Sequence, residues 1–291
     1  MRKQKDSEQA KAVPMRAEAP HTVLTLALAR RLEGEIAYDS AEVVENVRRL
    51  MPHIPAVSEE IAGGVACFTG IESPFSQAIG LGLHGAVSEA DIERLERFYL
   101  ERGSAVLVEL CPLADPSFTK LLARRGFYPI DYTNVMTRVF QPADSWRSAS
   151  QAFVIEQAGA DELDLLNRTV AEGFAETDPV SPELLEVMLV AKHTRGVESY
   201  LARVGGKPVA GASMSVDNRL AALFGASTLA AYRGLGIQTA LIQARLARGL
   251  EAGCDLALCV AAPGSASHRN LERQGFTPAY TRIKFEKRLR A

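Results

Sequence analysis

Apolar residues recur with helical or strand spacing along most of the chain, and the pattern divides it into two halves. In the first half, helical spacing reaches Leu32 and returns at residues 41–50. Pro52 ends the second stretch, because the residue before a proline is pushed out of helical geometry. Ser88 and Asp91 form an S-x-x-D capping pair for a further helix. The other elements predicted here are strands at residues 63–70, 76–83, 105–110 and 132–140 and a helix at 117–125.

The second half follows a polar, turn-rich stretch at residues 141–151, where we place the domain boundary. Asp161 caps its first helix, and Ser181 caps a second helix that has Pro182 at its first position. A long helix begins near Gly236. The other predicted elements are strands at residues 153–157, 199–206, 208–216, 220–228, 255–261 and 280–286 and a short helix at 265–274.

The two halves also share a sequence pattern. Residues 122–129 and 271–278 both read L-x-R-x-G-F-x-P, and "LERG" and "LEAG" precede them in the same order. The copies lie about 150 residues apart, which indicates a domain duplication rather than a solenoid; the alternative is chance, since helix-Gly-strand joins are common. We expect a disordered tail at 1–20 and domains at 21–145 and 150–291.

Composition narrows the functional classes. The net charge of −2 argues against a general nucleic-acid binder, which usually carries a basic face. No apolar run approaches the ~20 residues of a membrane helix. The four cysteines form no C-x-x-C pair, which indicates reduced and buried thiols rather than a metal site. Reduced thiols are typical of a cytoplasmic protein. A reactive thiol is the alternative interpretation. They are Cys67, Cys111, Cys254 and Cys259.

The stretch "YRGLGIQTAL", residues 232–241, carries the strongest chemical signal. Unpaired backbone N–H groups and the helix dipole attract anions at a helix start, and Gly234 and Gly236 would let a diphosphate approach, with Arg233 adding positive charge. A plain strand-to-helix turn is the alternative. The stretch is neither a P-loop nor a complete G-x-G-x-x-G. On the following helix, Gln238, Gln243, Arg245 and Arg248 fall outside the apolar stripe.

Residues 226–242 resemble motif A of the Gcn5-related N-acetyltransferase (GNAT) superfamily, [RQ]-x-x-G-x-[GA] after a strand. Arg233 and Gly236 match this motif, and Gln238 departs from it. Residues 264–276 resemble the later segment N-x-x-S-x-x-x-L-x-x-x-G-F, with Gly264 in place of the Asn. Leu271 stands where many members carry a Tyr that protonates the leaving thiolate.

The resemblance implies an α/β (α+β) fold of two tandem GNAT-like domains, each a mixed, mostly antiparallel sheet flanked by helices, with a degenerate N-terminal copy. It implies acetyl-CoA or another acyl-CoA as co-substrate, whose pantetheine arm lies between two splayed strands. Arg269 is a further candidate contact, with a solvated surface charge as the alternative. The residues implied to bind the cofactor are Ser227, Thr228, Leu229, Arg233, Gly234, Gly236, Ile237, Gln238, Thr239 and Ser267.

By the same resemblance, the acceptor is a small-molecule or peptide amine, acylated directly in a ternary complex. Its proton needs a base, and an acidic loop faintly favours a cationic substrate. Each candidate also has a plain structural interpretation, as an exposed loop acid or a structural histidine. The candidate acids and bases are Glu172, Glu176, Asp178, His193 and His268, and Tyr280 could replace the missing acid.

The first half has no Arg-x-x-Gly at the equivalent helix start, and Glu89 and Asp91 would repel phosphate there. We expect it not to bind CoA, but to pack against the second half and shape the acceptor cleft. Two other functions remain open: a non-catalytic CoA-binding protein and a nucleotide-binding α/β domain. The oligomeric state is also open, a homodimer included.

Overall fold

Both halves of the chain contribute strands to one sheet, and helices pack on its two faces. The computed structural model describes residues 23–71, 73–146, 152–175 and 180–288. Within these residues the helices are α1 (Leu26–Leu50), α2 (Glu89–Leu100), α3 (Pro116–Arg124), α4 (Leu163–Phe174), α5 (Pro182–Lys192), α6 (Ile237–Glu251) and α7 (Ala266–Arg273). The strands are β1 (Val57–Ile61), β2 (Gly64–Phe68), β3 (Ala78–Ile79), β4 (Val106–Leu110), β5 (Tyr128–Val139), β6 (Val154–Gln157), β7 (Val197–Val204), β8 (Lys207–Asp217), β9 (Leu220–Thr228), β10 (Leu256–Ala261) and β11 (Thr277–Lys287).

The last strand of each half pairs with the other half. The strand order is β1-β2-β3-β4-β11-β5-β10-β9-β8-β7-β6. β5, which ends the first half, pairs antiparallel with β10 of the second half, and β11, which ends the second half, pairs antiparallel with β4 of the first half. The two exchanged strands also pair with each other at the centre. Neither half therefore closes its own sheet, an exchange that the sequence pattern did not indicate.

The central pairing of β5 with β11 is symmetric. Tyr128 lies opposite Glu286, Thr137 lies opposite Thr277, and Thr133 meets Arg282 midway between them. Both strands start just after the G-F turn of the shared sequence pattern. The symmetry of the register therefore supports the duplication inferred from that pattern.

Helix α1 is one element of 25 residues, where the pattern predicted two separate helical stretches. Thr25 caps it by accepting a hydrogen bond from the Leu28 backbone N–H at 3.1 Å. Glu33 and Glu35, between the two stretches, are 0% and 5% exposed. Buried carboxyl groups interrupt the apolar stripe from which the helix was predicted, so the middle of the helix was missed. No helix in the described ranges combines the length and apolar character that a membrane crossing requires.

Smaller differences concern the first-half strands. β1 was not predicted, because "VSEEI" has only one fully buried apolar residue, Ile61. The strand expected at 76–83 shrinks to Ala78–Ile79, since Gly80 turns the chain with φ +77°. The two exchanged strands begin earlier than expected, at Tyr128 and Thr277, because the chain enters them directly from the G-F turn.

The first part of α1 packs against both halves. Leu32 is fully buried in a cluster that includes Leu220 and Leu258 of the second half and Val135 of the first half. Arg31 pairs with Asp255, just before β10, at 2.6 Å. The sequence places α1 in the first half, but its packing makes it part of the core of both.

The second part of α1 joins β2 to α5. Val43, Val44 and Val47 share a buried cluster with Cys67 of β2 and Val190 of α5. Burial raises the pKa of the Cys67 thiol to about 12, so this thiol is an inert core group. The helix therefore spans the seam between the halves from end to end.

We expect Leu32→Ala to lower the free energy of unfolding by about 2–5 kcal/mol, because it leaves a cavity where α1 meets both halves. Leu50→Ala on the same helix is the matched control, since Leu50 is 48% exposed and its loss should change the free energy by less than about 0.5 kcal/mol. Urea denaturation followed by circular dichroism measures both. Equal effects, or two separate transitions in the Leu32 variant, would contradict the bridging role of α1.

Candidate functional site

β9 and β10 start as paired parallel strands and then separate. Their pairing ends at Leu223 and Cys259. Beyond that point β9 stays bonded to β8 as far as Thr228, and β10 stays bonded to β5 as far as Ala261. Because each strand keeps its outer partner, the gap between them is an opening inside the sheet.

A β-bulge in β9 lies at the mouth of this gap. Ser213 is opposite Phe224 and Gly211 is opposite Ser227, so β9 carries one extra residue between the two pairs. Gly225, within the bulge, has φ +58°, which a residue with a side chain rarely adopts. Bulges interrupt the ladder and re-aim the backbone, so this one turns backbone groups of β9 towards the gap.

Arg245 of α6 lies directly behind the bulge. Its Nη1 donates to the carbonyls of Ser213 at 3.0 Å and Phe224 at 3.4 Å, and its Nε donates to Leu241 at 3.0 Å. The side chain is 2% exposed, and in the described part of the chain no carboxylate is among the groups that act on its charge. Burial lowers the pKa of Arg245 to about 10, which leaves it cationic at neutral pH. The sequence pattern placed Arg245 outside the buried stripe, which was wrong.

The start of α6 forms an open cradle. Gly234 and Gly236 have φ of +82° and +81°, and a Cβ at either position would meet no heavy atom within 4 Å. The first backbone bond of the helix runs from the Ala240 N–H to the Gly236 carbonyl, so the N–H groups of the first turn have no helical partner. No acidic residue occupies this turn. The cradle therefore presents unpaired donors and the positive end of the helix dipole to an approaching anion.

Arg233 fixes the cradle against its surroundings. Its Nε donates to the Thr228 carbonyl at 3.2 Å, and its Nη2 donates to the Gly173 carbonyl at the end of α4 at 3.0 Å. The Ser227 hydroxyl donates to the Val170 carbonyl at 2.7 Å. The loop, the end of β9 and the end of α4 are therefore held as one corner, with the charge of Arg233 beside the cradle.

In the first half, the helix start that corresponds to the cradle and the strand end that corresponds to the gap are both closed. At the start of α2, the Ser88 hydroxyl accepts from the Asp91 N–H at 3.2 Å, and the Asp91 carboxylate accepts from the Ser88 N–H at 2.9 Å. The chain after β3 is bonded to the start of α3, because the Asp115 N–H donates to the Gly82 carbonyl at 2.8 Å. Side chains and backbone of this half therefore occupy the helix start and the gap that stay open in the second half.

A cavity of about 460 Å³ opens from the gap between β9 and β10. Both halves line it. The second half contributes Phe224, Gly225 and Val260 at the gap and Met188 of α5, and α1 of the first half forms the opposite wall with Ile36, Asp39 and Val43. The volume is that of a small-molecule site.

Asp39 is the carboxylate that α1 brings to this cavity. Its Oδ2 accepts a hydrogen bond from the Ser215 hydroxyl of β8 at 2.9 Å. Burial raises the pKa of Asp39 to about 6; the Ser215 bond opposes the rise, and the nearby carboxylates Asp217 and Glu42 add to it. At neutral pH the carboxylate is ionised and basic enough to accept a proton.

Lys192 of α5 lines the same cavity and joins its two helical walls. Its Nζ donates to Asn167 Oδ1 of α4 at 2.7 Å and to the Met188 carbonyl at 2.9 Å. Burial lowers the pKa of Lys192 to about 8. The bond to Asn167 holds α5 to α4 on one side of the cavity, and the bond to Met188 lies within α5.

The comparisons with known proteins agree with this geometry. Residues 164–276 match the model of the acetyltransferase (GNAT) family, a stretch that includes the gap, the cradle and α7 up to the G-F turn. The second half carries a GNAT domain. A search of curated proteins gives no match.

Solved structures extend the likeness beyond the GNAT domain. A GCN5-related N-acetyltransferase from Kribbella flavida has a TM-score of 0.59 at 16% identity, over 85% of this chain and 95% of its own. A tandem GNAT protein from the clavulanic acid biosynthesis pathway has a TM-score of 0.58 at 14% identity, over 91% of this chain and 97% of its own. At such identities the likeness concerns the fold, and it shows a tandem GNAT architecture for both halves, as the sequence predicted.

The three positions expected to contact pantetheine differ in their availability in the GNAT domain. The Ser227 hydroxyl and the Leu229 N–H are both used within the protein, the latter by the Val209 carbonyl at 2.9 Å. The Thr228 hydroxyl is buried and has no hydrogen-bond partner. Among the described side chains at this point of β9, Thr228 is therefore the one left for a ligand.

Helix α7 presents Ser267 and Arg269 at the surface beside the end of β10. Ser265 caps the helix by accepting from the His268 N–H at 3.0 Å, and Arg269 Nη1 donates to the Gly264 carbonyl. The His268 ring lies between the Gly264 N–H and Asn134 at 3.3 and 3.4 Å, which is a structural setting. Whether Ser267 contacts a cofactor stays a prediction.

The acids and bases that were proposed from sequence and that the structure describes do not line the cavity. Glu172 is exposed on α4, and His193 is exposed at the end of α5, while Glu176 and Asp178 lie outside the described residues. Tyr280 is 6% exposed and donates to Glu33 at 2.7 Å; burial raises its pKa, and the Glu33 carboxylate adds to the rise. Leu271 is 1% exposed in the core and supplies no acid.

The site residues that sequence reasoning missed include Asp39 and Lys192, which line the cavity, and Arg245, which is buried behind the bulge. Each carried a signal in the helical period. Asp39 falls between Ile36 and Val43 on one face, and Arg245 lies one turn from both Leu241 and Gly249. A charged residue at an apolar position of a periodic helix is the feature that would have found them.

Gly173 is needed where α4 meets β9. A Cβ at this position would come within 2.9 Å of the Ser227 Cβ. We therefore expect Gly173→Ala to displace α4 and lower the free energy of unfolding by about 1–3 kcal/mol.

Gly34→Ala in α1 is the matched control, because no heavy atom lies within 4 Å of a Cβ there. It should be neutral, or stabilise the protein by about 0.5–1 kcal/mol through helix propensity. Thermal denaturation of both variants measures the difference. A Gly173 variant as stable as the Gly34 variant would show that α4 does not rest on β9 as described.

Proposed function

We propose that the protein is an acyl-CoA-dependent N-acyltransferase that moves an acyl group, acetyl in the simplest case, directly to an amine in a ternary complex. One observation carries the proposal: the open gap between β9 and β10 leads from an unblocked helix start to a small cavity that holds a basic carboxylate. The fold is that of GNAT acetyltransferases, which supports acyl-CoA as the donor.

The residues at the gap fit CoA. The cradle offers unpaired N–H groups at Ile237, Gln238 and Thr239, and its glycines leave room for a diphosphate to reach them. The buried Thr228 hydroxyl is an orphan that an amide of the pantetheine arm would satisfy. Acetyl-CoA supplies an activated acyl group as a thioester when it is bound there.

The residues around the bulge suit the reacting carbonyl. The bulge at Gly225 directs β9 backbone groups into the gap, where fixed N–H dipoles stabilise negative charge on a carbonyl oxygen. Arg245 holds the bulge from behind and adds a positive charge that no described carboxylate neutralises. With no acid at Leu271, this positive field would also stabilise the departing thiolate.

Asp39 is the proposed general base. It lines the cavity at the wall facing the gap, and the Ser215 hydroxyl orients its carboxylate. Its role is to accept a proton from the acceptor ammonium, so that the nitrogen lone pair becomes free to attack. The acceptor cleft would then need both halves of the chain, because Asp39 comes from the first half.

The test of CoA binding is Gly236→Glu, measured by isothermal titration calorimetry with acetyl-CoA. We expect Kd to rise at least about tenfold, because the new carboxylate would occupy the cradle and repel the diphosphate. The wild-type protein should bind one molecule per chain, since the first half is closed.

Gly253→Glu is the matched control. Gly253 follows the other end of α6, has φ +75°, and a Cβ added there would also meet no heavy atom within 4 Å, so the change carries the same backbone strain away from the cradle. The affinity of the Gly253→Glu variant for acetyl-CoA should equal that of the wild type. Wild-type affinity in the Gly236 variant would refute the cradle assignment, and CoA binding without turnover of any amine would favour a non-catalytic CoA-binding protein.

Asp39→Asn should lower kcat by about 10²–10⁴ and leave Kd for acetyl-CoA unchanged, because it removes the base without touching the cradle. In the wild type, kcat/KM should fall as pH drops through about 6, where Asp39 becomes protonated, and the variant should lose this limb. Glu45→Gln, on the exposed side of α1, is the control and should behave as wild type. An unchanged acid limb in Asp39→Asn would exclude Asp39 as the base.

A further inference from the structure

Two cations lie on the cavity wall at the centre of the sheet. Arg282 and Lys284 are alternate residues of β11, so their side chains share one face, and both line the cavity. Arg282 occupies the midpoint of the symmetric pairing, opposite Thr133. Neither residue is needed for the CoA cradle, which lies at the other side of the gap.

Arg282 is buried but poorly bonded. It is 4% exposed, and its Nε and Nη1 have no hydrogen-bond partner. Its nearest carboxylates, Glu33 and Glu109, lie 3.6 and 3.9 Å away, and the Oε2 atoms of both also lack partners. Since buried donors are nearly always paired, a guanidinium in this state has bonding capacity left for a ligand in the cavity.

The carboxylates around Arg282 leave its guanidinium incompletely paired. Glu109 is shared between the two cations, because Lys284 Nζ contacts its Oε1 at 3.1 Å. Burial raises the pKa of Glu33, whose carboxyl also accepts the Tyr280 hydroxyl bond. The guanidinium therefore has two carboxylates nearby in the described structure, neither within hydrogen-bond distance, and one of them is already bound to Lys284.

Another part of the cavity wall carries a carboxylate, while the third cation of the lining, Lys192, is already bound to Asn167 and to the Met188 carbonyl. Asp39 brings a carboxylate from α1, and Asp217 lies close enough to raise its pKa. A single ligand between these groups would meet a carboxylate on one side and a guanidinium with an ammonium on the other. The volume of about 460 Å³ suits a small molecule rather than a folded protein segment.

We propose that the acyl acceptor is a small amino acid-like molecule, whose amine faces Asp39 and whose carboxylate is bound by Arg282 and Lys284. The proposal rests on the acyltransferase function above. It differs from the cationic acceptor that the acidic loop favoured in the sequence. Glu172 does not line the cavity, and Glu176 and Asp178 lie outside the described residues. A guanidinium fork matches the two oxygens of a carboxylate, which gives the site its selectivity.

The reaction balances with these groups. The ammonium of the acceptor gives one proton to Asp39, and its nitrogen forms the new C–N bond to the acyl carbon. The C–S bond breaks with its electron pair on sulfur. The second nitrogen proton is lost as the amide forms, one of the two protons goes to the thiolate, and the other goes to solvent. The products are an N-acylated amino acid, which keeps its carboxylate, and CoA thiol.

The first test compares amino acids with their own primary amides, such as leucine with leucinamide, across small, apolar, acidic and basic side chains. Each pair keeps the amine and the side chain and differs only in the carboxylate. With acetyl-CoA as donor, we expect kcat/KM for the preferred amino acid to exceed that for its amide at least about tenfold, the size of one charge-assisted hydrogen bond. Amides used as well as the acids would overturn the proposal and leave the acyltransferase function standing.

A second measurement does not depend on turnover. Calorimetric titration of the full chain, in the presence of CoA, compares each N-acetyl amino acid with its N-acetyl amide. The acid should bind at least about tenfold more tightly. Equal binding within every pair would refute carboxylate recognition, and failure of the chain to bind acetyl-CoA would instead overturn the function on which it rests.

Lys284→Met tests the residues themselves, because the Lys284 side chain is 24% exposed and its removal disturbs the core less than a change at Arg282. The preference for acid over amide should fall towards unity, with the affinity for acetyl-CoA unchanged. Lys120→Met, at an exposed position of α3, should keep the preference. A preference retained in the Lys284 variant at wild-type size would exclude this residue from the carboxylate site.

Discussion

The antiparallel pairing of β5 with β11 is the interaction on which the rest of the structure depends. Each of these strands completes the sheet of the other half, and their mutual ladder joins the two halves into one sheet. Ladder hydrogen bonds require close registry over many residues, so the two halves have a fixed relative position. That fixed position lets α1 cross the seam and lets a cavity have walls from both halves. Because the exchange fixes the two halves, Asp39 of α1 and the gap beside β9 line the same cavity.

The site depends on a second constraint, the separation of β9 from β10. A sheet strand normally satisfies both edges, and here the bulge at Gly225 and the buried Arg245 hold one edge open. A cation without a described carboxylate partner inside the fold is costly, because burial disfavours its charge. The carbonyls of Ser213 and Phe224 offset this cost by accepting its hydrogen bonds. The arrangement gives the gap a permanent positive field at the place where the proposed chemistry develops negative charge.

Sequence reasoning predicted the duplication, the tandem GNAT architecture and the glycine cradle, because these depend on local patterns. L-x-R-x-G-F-x-P repeats along the chain, and the glycines of residues 234–236 adopt the conformations that only their lack of a side chain makes easy. It missed the exchange of β5 and β11, since both strands fit either half equally well by pattern. It also missed Asp39 and Arg282, because the residues that surround each of them come from elements far apart in the chain. A charged residue at an apolar position of a helix, such as the buried Arg245, is the sequence feature that indicates such a contact with a distant element.

The shared ladder also limits how the protein can move. Many enzymes that bind ligands between two units open and close by rotating one unit about a hinge, but here rotation would have to break backbone hydrogen bonds at the middle of the sheet. Entry of any ligand into the cavity would therefore depend on local shifts of α1 and α5, which line it, while the sheet stays rigid. The continuous sheet under the cavity therefore gives the two halves a common rigid floor, so that rotation of one half against the other does not reshape it.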